Sequence, residues 1–364
     1  MAIIKNFGEI AKTFDRQTVL DIVEAGLEAI QPENALKNSV TFANDQLKIV
    51  DQTFDLKKYQ RVFVIGFGKG SAGNAQYLEN LIESHITEGY VIDTTPLNFK
   101  KIKFTPGTHP LPSEGNWKFT DNLVKRISEL KITENDLVLV IICGGGSAML
   151  VHPSSLTLEQ KIDVNKALLK SGANITEMNI VRKHLSTVKG GGLAKLLFPA
   201  HIATLIFSDV PGNDLSVIAS GPTVKDQTTL ENTNEVLEKF KLFGALPFLK
   251  PESFHETPKE DQYFTNVKNI LVLSNLTALE AMKKVAEEKK IPVRIHSDKF
   301  QANAAEAGKI LFNNTHQGEM ILAGGETTVV VKGTGVGGRN QEVVLAALPS
   351  LTGDNVIVSV ASDG

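Results

Sequence analysis

The chain has 364 residues, of which 42% are hydrophobic and 22% are charged, with 38 basic and 41 acidic side chains. A net charge of -3, with both signs spread along the chain, argues against a nucleic-acid-binding protein. No stretch approaches the roughly 18 apolar residues of a membrane span. The single cysteine, Cys143, excludes an intrachain disulfide and fits a reducing compartment. We therefore expect a cytoplasmic globular protein of two domains.

The first two thirds of the chain alternate helical and strand-like segments. Helices are predicted where apolar residues recur every three or four positions: 13–31, 71–84, 117–130, 157–171 and 228–240. Strands are predicted at short, apolar or β-branched runs: 61–65, 89–93, 136–142 and 202–207. Continuous apolar strands alternating with helices are typical of a parallel sheet covered on both faces.

The pattern stops at a proline-containing stretch of little periodicity, which we interpret as a boundary. This interpretation predicts a first domain over 1–245, a linker over 246–262 and a second domain over 263–364. Further strands are predicted in the second domain: 267–273, 293–295, 319–323, 329–332 and 356–360. Its helices are predicted at 277–290, 301–312 and 340–348.

The first glycine-rich loop, GFGKGSAG at 66–73, follows a predicted strand and opens a helix. Its last six residues match the dinucleotide-binding turn G-x-G-x-x-G, and Asp93 falls where that motif has its ribose-binding acid. Lys69 adds a mobile cation to this turn. Such a cation is better suited to a ligand with several phosphate charges than to a dinucleotide, whose pyrophosphate is already held by N–H groups. The alternatives are a tight turn without a ligand and a solvated lysine. We predict phosphate contacts from the turn, at Gly68, Gly70, Ser71 and Gly73.

Two further glycine loops follow within the first domain. The segment CGGGSA at 143–148 predicts a backbone wrapped around a ligand at Gly145, Gly146 and Ser147, although Ser147 is equally suited to capping a helix. The segment RKHLSTVKGGG at 182–192 gathers several basic side chains before a flexible loop. It resembles an anion clamp, with Arg182, Lys189 and Gly190 as its candidate residues.

Carboxylates and an arginine end other predicted strands. Asp209, in SDVPGND after strand 202–207, is placed to bind a metal or act as a base, although the segment is also good turn chemistry. In the second domain, Glu326 lies in a Gly-Gly-Glu turn, and Arg339 and Asn340 begin a predicted helix after GTGVGG. Asp363 lies in the last Asp-Gly. We predict metal ligands at Asp209, Glu326 and Asp363.

The number of these loops favours phosphoryl transfer over a plain dinucleotide site. At least five strand-end loops, in both predicted domains, combine glycine with charged or hydroxyl side chains. Phosphoryl transfer requires positioning and charge neutralisation by cations, N–H groups and Mg²⁺-binding carboxylates. The Walker A motif and the protein-kinase signatures are absent from the sequence, so a kinase of another type is indicated.

At these loops the sequence resembles the MOFRL-type glycerate kinases, the glycerate 2-kinase family. The matching segments run in the family's order from residue 64 to residue 364: VIGFGKGSAGNA, GTHPLP, ICGGGSAML, SGANITEMNIVRKHLSTVKGGGLA, SDVPGNDLSVIASGPTVKD, LAGGETTVVVKGTGVGGRNQE and ASDG. The resemblance implies a Rossmann-like N-terminal domain, a smaller α/β C-terminal domain and an active site in the cleft between them. It also implies ATP- and Mg²⁺-dependent phosphorylation of D-glycerate, usually to 2-phosphoglycerate, by a monomer or homodimer.

The resemblance assigns catalytic roles to Lys69 and Arg339, and its aspartate falls on Asp209. Two features depart from the family pattern: Leu276 stands where relatives have an arginine, and the sequence ends at Gly364, where relatives continue with a further Asp- and Gly-rich loop and a closing helix. That loop is either truncated or lost. Two rival functions stay open, an NAD(P)-dependent hydroxypyruvate reductase and a non-catalytic protein that binds a nucleotide or sugar acid.

Overall fold

A computed structural model describes residues 3–331, 333–353 and 355–361 of the chain. Its strands are β1 Val40–Ala43, β2 Gln46–Ile49, β3 Gln52–Asp55, β4 Arg61–Phe67, β5 Ile86–Asp93, β6 Ile102–Pro106, β7 Asp136–Ile142, β8 His201–Phe207, β9 Val267–Leu273, β10 Val293–Phe300 and β11 Met320–Gly325. Its helices are α1 Phe7–Ile10, α2 Phe14–Ala29, α3 Pro32–Ser39, α4 Ser71–Ile82, α5 Glu114–Leu130, α6 Gly146–Met149, α7 Leu158–Lys170, α8 Ile175–His184, α9 Gly192–Leu197, α10 Leu230–Lys239, α11 Leu242–Ala245, α12 Asn275–Glu288, α13 Ala304–Asn313 and α14 Arg339–Ala347.

The chain divides into two compact units that differ from the predicted domains. One unit contains residues 36–209 and 213–272, and we call it the sheet unit. The other contains residues 1–35, 210–212 and 273–364, and we call it the terminal unit. The first helices join the terminal unit because α2 packs against α12 through Ile22, Ala278 and Met282. That long-range packing leaves no local sign in the sequence.

The sheet unit has the strand order of a Rossmann-type fold. Among the described residues, its large sheet has the order β6-β5-β4-β7-β8-β9, and the four junctions from β6 to β8 are parallel. Strand β7 is buried along its whole length, as its apolar run DLVLVII predicts. The order reverses between β4 and β7, and such a switch point is where α/β sheets bind ligands. The predicted Rossmann-like fold is confirmed.

The segment predicted as a linker, 246–262, is a packed part of the sheet unit. Leu249 and Phe254 belong to the apolar cluster formed by helices α7, α8 and α10. The main chain adds a hydrogen bond of 3.0 Å from the His255 N–H to the His184 carbonyl. The prolines end helices here, but the apolar residues between them are buried.

The terminal unit contains a smaller α/β arrangement. Strands β10 and β11 pair in parallel, and α12 packs against both. The strands predicted over 329–332 and 356–360 are wrong for the described residues, 329–331 and 356–360, which form no strand. Their valines are exposed, up to 81% at Val331. A β-branched run forms a strand only when a neighbouring strand completes its hydrogen bonds.

Within the described part of the chain, no helix has both the length and the apolar character needed to cross a membrane.

Candidate active site

The loops after β4 and β7 meet at the switch point of the sheet. The Cys143 N–H donates to the Phe67 carbonyl at 3.1 Å, and the Lys69 N–H donates to the Gly144 carbonyl at 2.8 Å. Gly68 has a φ of 109°, and a Cβ there would overlap the Cys143 carbonyl oxygen, so the close approach requires glycine. The Lys69 side chain is exposed and forms no ion pair with any described residue. The turn therefore presents an available cation.

Four consecutive main-chain amides of this turn, at residues 69–72, are already hydrogen-bonded within the protein. The Asp93 carboxylate, 1% exposed, accepts hydrogen bonds of 2.9 Å from both the Gly70 and the Ala72 N–H groups. The Ser71 N–H donates to the Gly68 carbonyl, and its hydroxyl donates to the Ile92 carbonyl. Because Asp93 neutralises the helix N-terminus, it is not placed to read a ribose. The dinucleotide interpretation thus loses its ribose-binding acid and the free amides of Gly70 and Ala72, while the Lys69 side chain stays available.

His109 and Asp209 lie against the glycines of the loop after β7. A Cβ on Gly145 would lie 2.6 Å from the His109 ring, and one on Gly144 would lie 2.5 Å from Asp209 Oδ2. Burial lowers the pKa of His109, the positive charge of Lys69 lowers it further, and Asp209 opposes both. Lys69, His109 and Asp209 therefore share one electrostatic environment. The Gly-Thr-His-Pro context of His109 carried no signal in the sequence strong enough to assign this residue a role.

The titration of His109 gives a direct test of this cluster. We expect its pKa, followed by NMR of the imidazole, to lie below the usual 6.5. In Lys69→Met the pKa should rise, because removing a nearby cation favours the protonated ring. In Asp209→Asn it should fall further. A His109 pKa that is the same in all three proteins would place Lys69 and Asp209 outside its environment.

The candidate residues after β7 and α8 form one hydrogen-bonded network. The Lys189 ammonium is 1% exposed and donates to the Ser147 carbonyl at 3.0 Å, the Ser147 hydroxyl at 3.1 Å and the Ala219 carbonyl at 3.4 Å. The Ser147 and Ser220 hydroxyls are 3.3 Å apart, and Ser220 donates to Asn179 Oδ1. The Gly190 N–H donates to the Ser220 carbonyl, so this amide serves the network. Ser220 and Asn179 were missed because neither lies in a glycine motif.

The basic segment 182–189 has two different roles. Lys183 forms a buried ion pair of 3.0 Å with Asp226, and His184 Nε2 lies 3.2 Å from Glu256. These two side chains hold the unit together. Arg182 and Lys189 have no carboxylate partner among the described residues, so within this segment their positive charges are not offset by an ion pair.

The candidate residues of the terminal unit include an ion pair. Arg339 begins α14, and its Nη1 lies 2.8 Å from Glu326 Oε1, with both side chains about half exposed. Asn340 Oδ1 accepts a hydrogen bond of 2.9 Å from the Ser359 hydroxyl. Asp363 lies outside the described residues. Within the described ranges, no group of three or more His, Cys, Asp or Glu side chains is arranged to hold a metal ion.

Comparison with known proteins shows the family to which the chain belongs. Residues 18–248 match the domain of unknown function DUF4147, and residues 319–364 match the MOFRL family. A glycerate 2-kinase of Picrophilus torridus is 32% identical over 99% of this chain and 85% of its own length. A crystal structure of glycerate kinase from Thermotoga maritima, 32% identical, superposes with a TM-score of 0.79 over 93% of this chain and 80% of that one.

Two of the relatives have a different name. An Agrobacterium vitis protein named as a hydroxypyruvate reductase is 36% identical over 83% of this chain and 72% of its own length. The acid that would bind a ribose in a G-x-G-x-x-G dinucleotide site is used otherwise in the sheet unit, because the Asp93 carboxylate caps α4. The matches to both family models and to the kinases cover nearly the whole sequence, and the chain therefore belongs to the DUF4147 and MOFRL family that includes the glycerate 2-kinases.

Proposed function

We propose that this enzyme transfers the γ-phosphoryl group of ATP to D-glycerate and forms 2-phosphoglycerate. The observation that carries the proposal is the exposed Lys69 side chain at the switch point, beside His109 and Asp209. A free cation next to a carboxylate and a neutral imidazole suits the transfer of a highly charged group to a hydroxyl. The interdomain cleft, the cytoplasmic location and the monomeric or homodimeric state stay predictions.

On the nucleotide side, Lys69 would neutralise phosphate oxygens. The loop of Gly145, Gly146 and Ser147 would border the phosphates, and Arg339 would neutralise charge on the transferring phosphoryl group. To do so, Arg339 would exchange its contact with Glu326 for a phosphate, which a half-exposed ion pair permits at little cost. Asn340, in the same first turn of α14, would offer its amide to the same anion.

The carboxylates fit Mg²⁺ as it is usually bound in phosphoryl transfer. Mg²⁺ prefers oxygen ligands and is commonly held by one or two carboxylates together with substrate phosphates, so a cage of protein ligands is not required. Asp209, exposed at the edge of the sheet, would hold it, with Glu326 and Asp363 as further candidates. When bound, the ion offsets the negative charge on the phosphate oxygens.

The acceptor hydroxyl needs a base, and we propose His109 in place of Asp209. The lowered pKa of His109 keeps its imidazole neutral near pH 7, so the ring is able to accept a proton. Asp209 is then left to serve the metal ion. Arg182 and Lys189, which lack carboxylate partners among the described residues, would attract the acidic acceptor.

The test is a pair of assays on the same protein. With ATP, Mg²⁺ and D-glycerate, we expect ADP release in proportion to the formation of a phosphomonoester, identified by phosphorus NMR. With NADH or NADPH and hydroxypyruvate, we expect no oxidation of the cofactor. Cofactor oxidation without ADP release would favour the reductase. Binding of ATP or glycerate with neither reaction would favour a non-catalytic binding protein.

A further inference from the structure

A small pocket in the sheet unit gathers three cationic side chains and no acidic one. It lies beside α7 and α8, and its polar lining consists of His152, Lys161, Asn165, Arg182, Ser186 and Lys189. The remaining lining residues are apolar. A concentration of positive charge in a largely buried place is costly unless an anion offsets it.

Lys161 is the lining residue without a partner. It lies on the buried face of α7 with Val164 and Leu168 and is only 8% exposed. Among the described residues, its ammonium has neither a hydrogen bond nor an ion pair. The ammonium is not a fully buried atom and keeps some contact with solvent, but losing most of its hydration is unfavourable without an acceptor. A lysine used only for solubility would lie on the opposite, solvent-facing side of the helix.

The other polar groups of the pocket are already engaged. Arg182 Nε donates to Asn165 Oδ1 at 3.1 Å, and the Lys189 ammonium is directed at Ser147 and Ala219. His152 contacts the Thr187 hydroxyl at 2.7 Å and Asp121 at 3.5 Å. Asp121 also binds Lys125 at 2.7 Å. Asp121 is therefore already paired with His152 and Lys125, and it does not neutralise Lys161.

The three cations repel one another. Burial lowers the pKa of Lys161 to about 8, with a further contribution from Arg182. The pKa of Lys189 is lowered by burial first and then by Lys161 and Arg182. A bound anion would reverse these effects, because it stabilises each charged form.

Lys189 connects this pocket to the candidate active site. Its ammonium contacts Ser147, and the preceding glycines of that loop border His109 and Asp209. The pocket and that loop thus share Lys189 as a common neighbour. A carboxylate matches the site in charge and offers the oxygen acceptors that Lys161 lacks.

We infer that Lys161, with Arg182 beside it, binds the carboxylate of the acceptor and makes the enzyme select an acid over a neutral polyol. Lys189, whose donors are used by Ser147 and Ala219, adds only its positive charge. Naming the acceptor as D-glycerate rests on the proposed function. The binding of a small carboxylate by this pocket does not depend on the reaction that follows.

The first test is kinetic. In Lys161→Met, the KM for D-glycerate should rise about 10- to 100-fold, because one hydrogen bond to a charged group is lost. The KM for ATP should stay the same. The ratio of kcat/KM for D-glycerate to kcat/KM for glycerol should become smaller. Lys161→Arg should restore much of the affinity. The matched control is Lys166→Met on the same helix, where Lys166 is exposed and pairs with Asp163. An unchanged KM for D-glycerate in Lys161→Met would overturn the inference.

The second test measures binding without turnover. D-Glycerate alone should raise the Tm of the unaltered protein more than sodium chloride at the same ionic strength, and this difference should be lost in Lys161→Met. The variant itself should melt no lower, because methionine fills similar space without an unpaired buried charge. A lower Tm with an undiminished D-glycerate shift would make Lys161 a packing residue and overturn the inference.

The two proposals fail in different ways. Suppose that ADP release is absent but D-glycerate stabilises the unaltered protein and not Lys161→Met. This result would support the carboxylate site and refute the proposed kinase activity. Suppose instead that ADP release is present and Lys161→Met changes neither the KM for D-glycerate nor the Tm shift. This result would support the kinase activity and refute the carboxylate site.

Discussion

Replacing Lys69 with Met is expected to lower kcat by about 10²- to 10³-fold, the size of effect seen when one group that stabilises transition-state charge is removed. The Lys69 side chain is exposed and forms no ion pair within the described residues, so its loss should leave the fold intact. Steady-state kinetics, together with a thermal melt of the variant, measures both effects.

The matched control is Lys58→Met, which removes another exposed lysine from the sheet unit. Both substitutions change the net charge equally, but only Lys69 lies at the switch point between β4 and β7. The control should keep the activity of the unaltered protein. A fully active Lys69→Met would remove this lysine from the mechanism.

Replacing Arg339 with Ala is expected to lower kcat by at least about 10³-fold, the lower range found for arginines that stabilise a transferring phosphoryl group. Arg339 is half exposed, and a surface ion pair contributes about 1 kcal/mol or less, so losing its pair with Glu326 should cost little stability. Activity should fall while the Tm stays nearly the same. Arg339→Lys should recover part of the activity, because lysine keeps the charge but loses the forked geometry.

A second arginine of the terminal unit provides the comparison. Arg294 also pairs with a glutamate, Glu319 at 2.7 Å, but lies in no glycine loop. Arg294→Ala should retain its activity. Equal losses in both variants would show that a damaged terminal unit, and not a lost phosphate contact, explains the effect of Arg339→Ala.

The sheet was predictable because its strands are buried on both faces. The runs at β4, β7 and β8 are largely apolar after a polar first residue, and a local apolar run of this kind predicts a buried strand. The glycine loops at their ends likewise follow from the need for close backbone approach, as at Gly68. Sequence reasoning could therefore locate the switch point.

Features that depend on distant partners were not predictable. The packing of α2 on α12 joins segments more than two hundred positions apart, and the β1–β3 sheet consists of strands of only four residues each. Asp93 matched a ribose-binding acid in position, but its carboxylate caps α4. The residues that surround Lys161 could not be predicted either, because they come from distant parts of the chain. Its spacing to Val164 and Leu168 does place it on the apolar side of α7.

Our main proposal is that Lys69 and Arg339 are each required to stabilise the charge of the transferring phosphoryl group. Binding of ADP with aluminium fluoride, Mg²⁺ and D-glycerate, measured by calorimetry, tests it most directly, because this mixture mimics the transition state. The account predicts that Lys69→Met and Arg339→Ala each lose the tight binding of the mimic while the affinity for ADP alone changes much less. Tight binding of the mimic by either variant, equal to that of the unaltered protein, would contradict the claim.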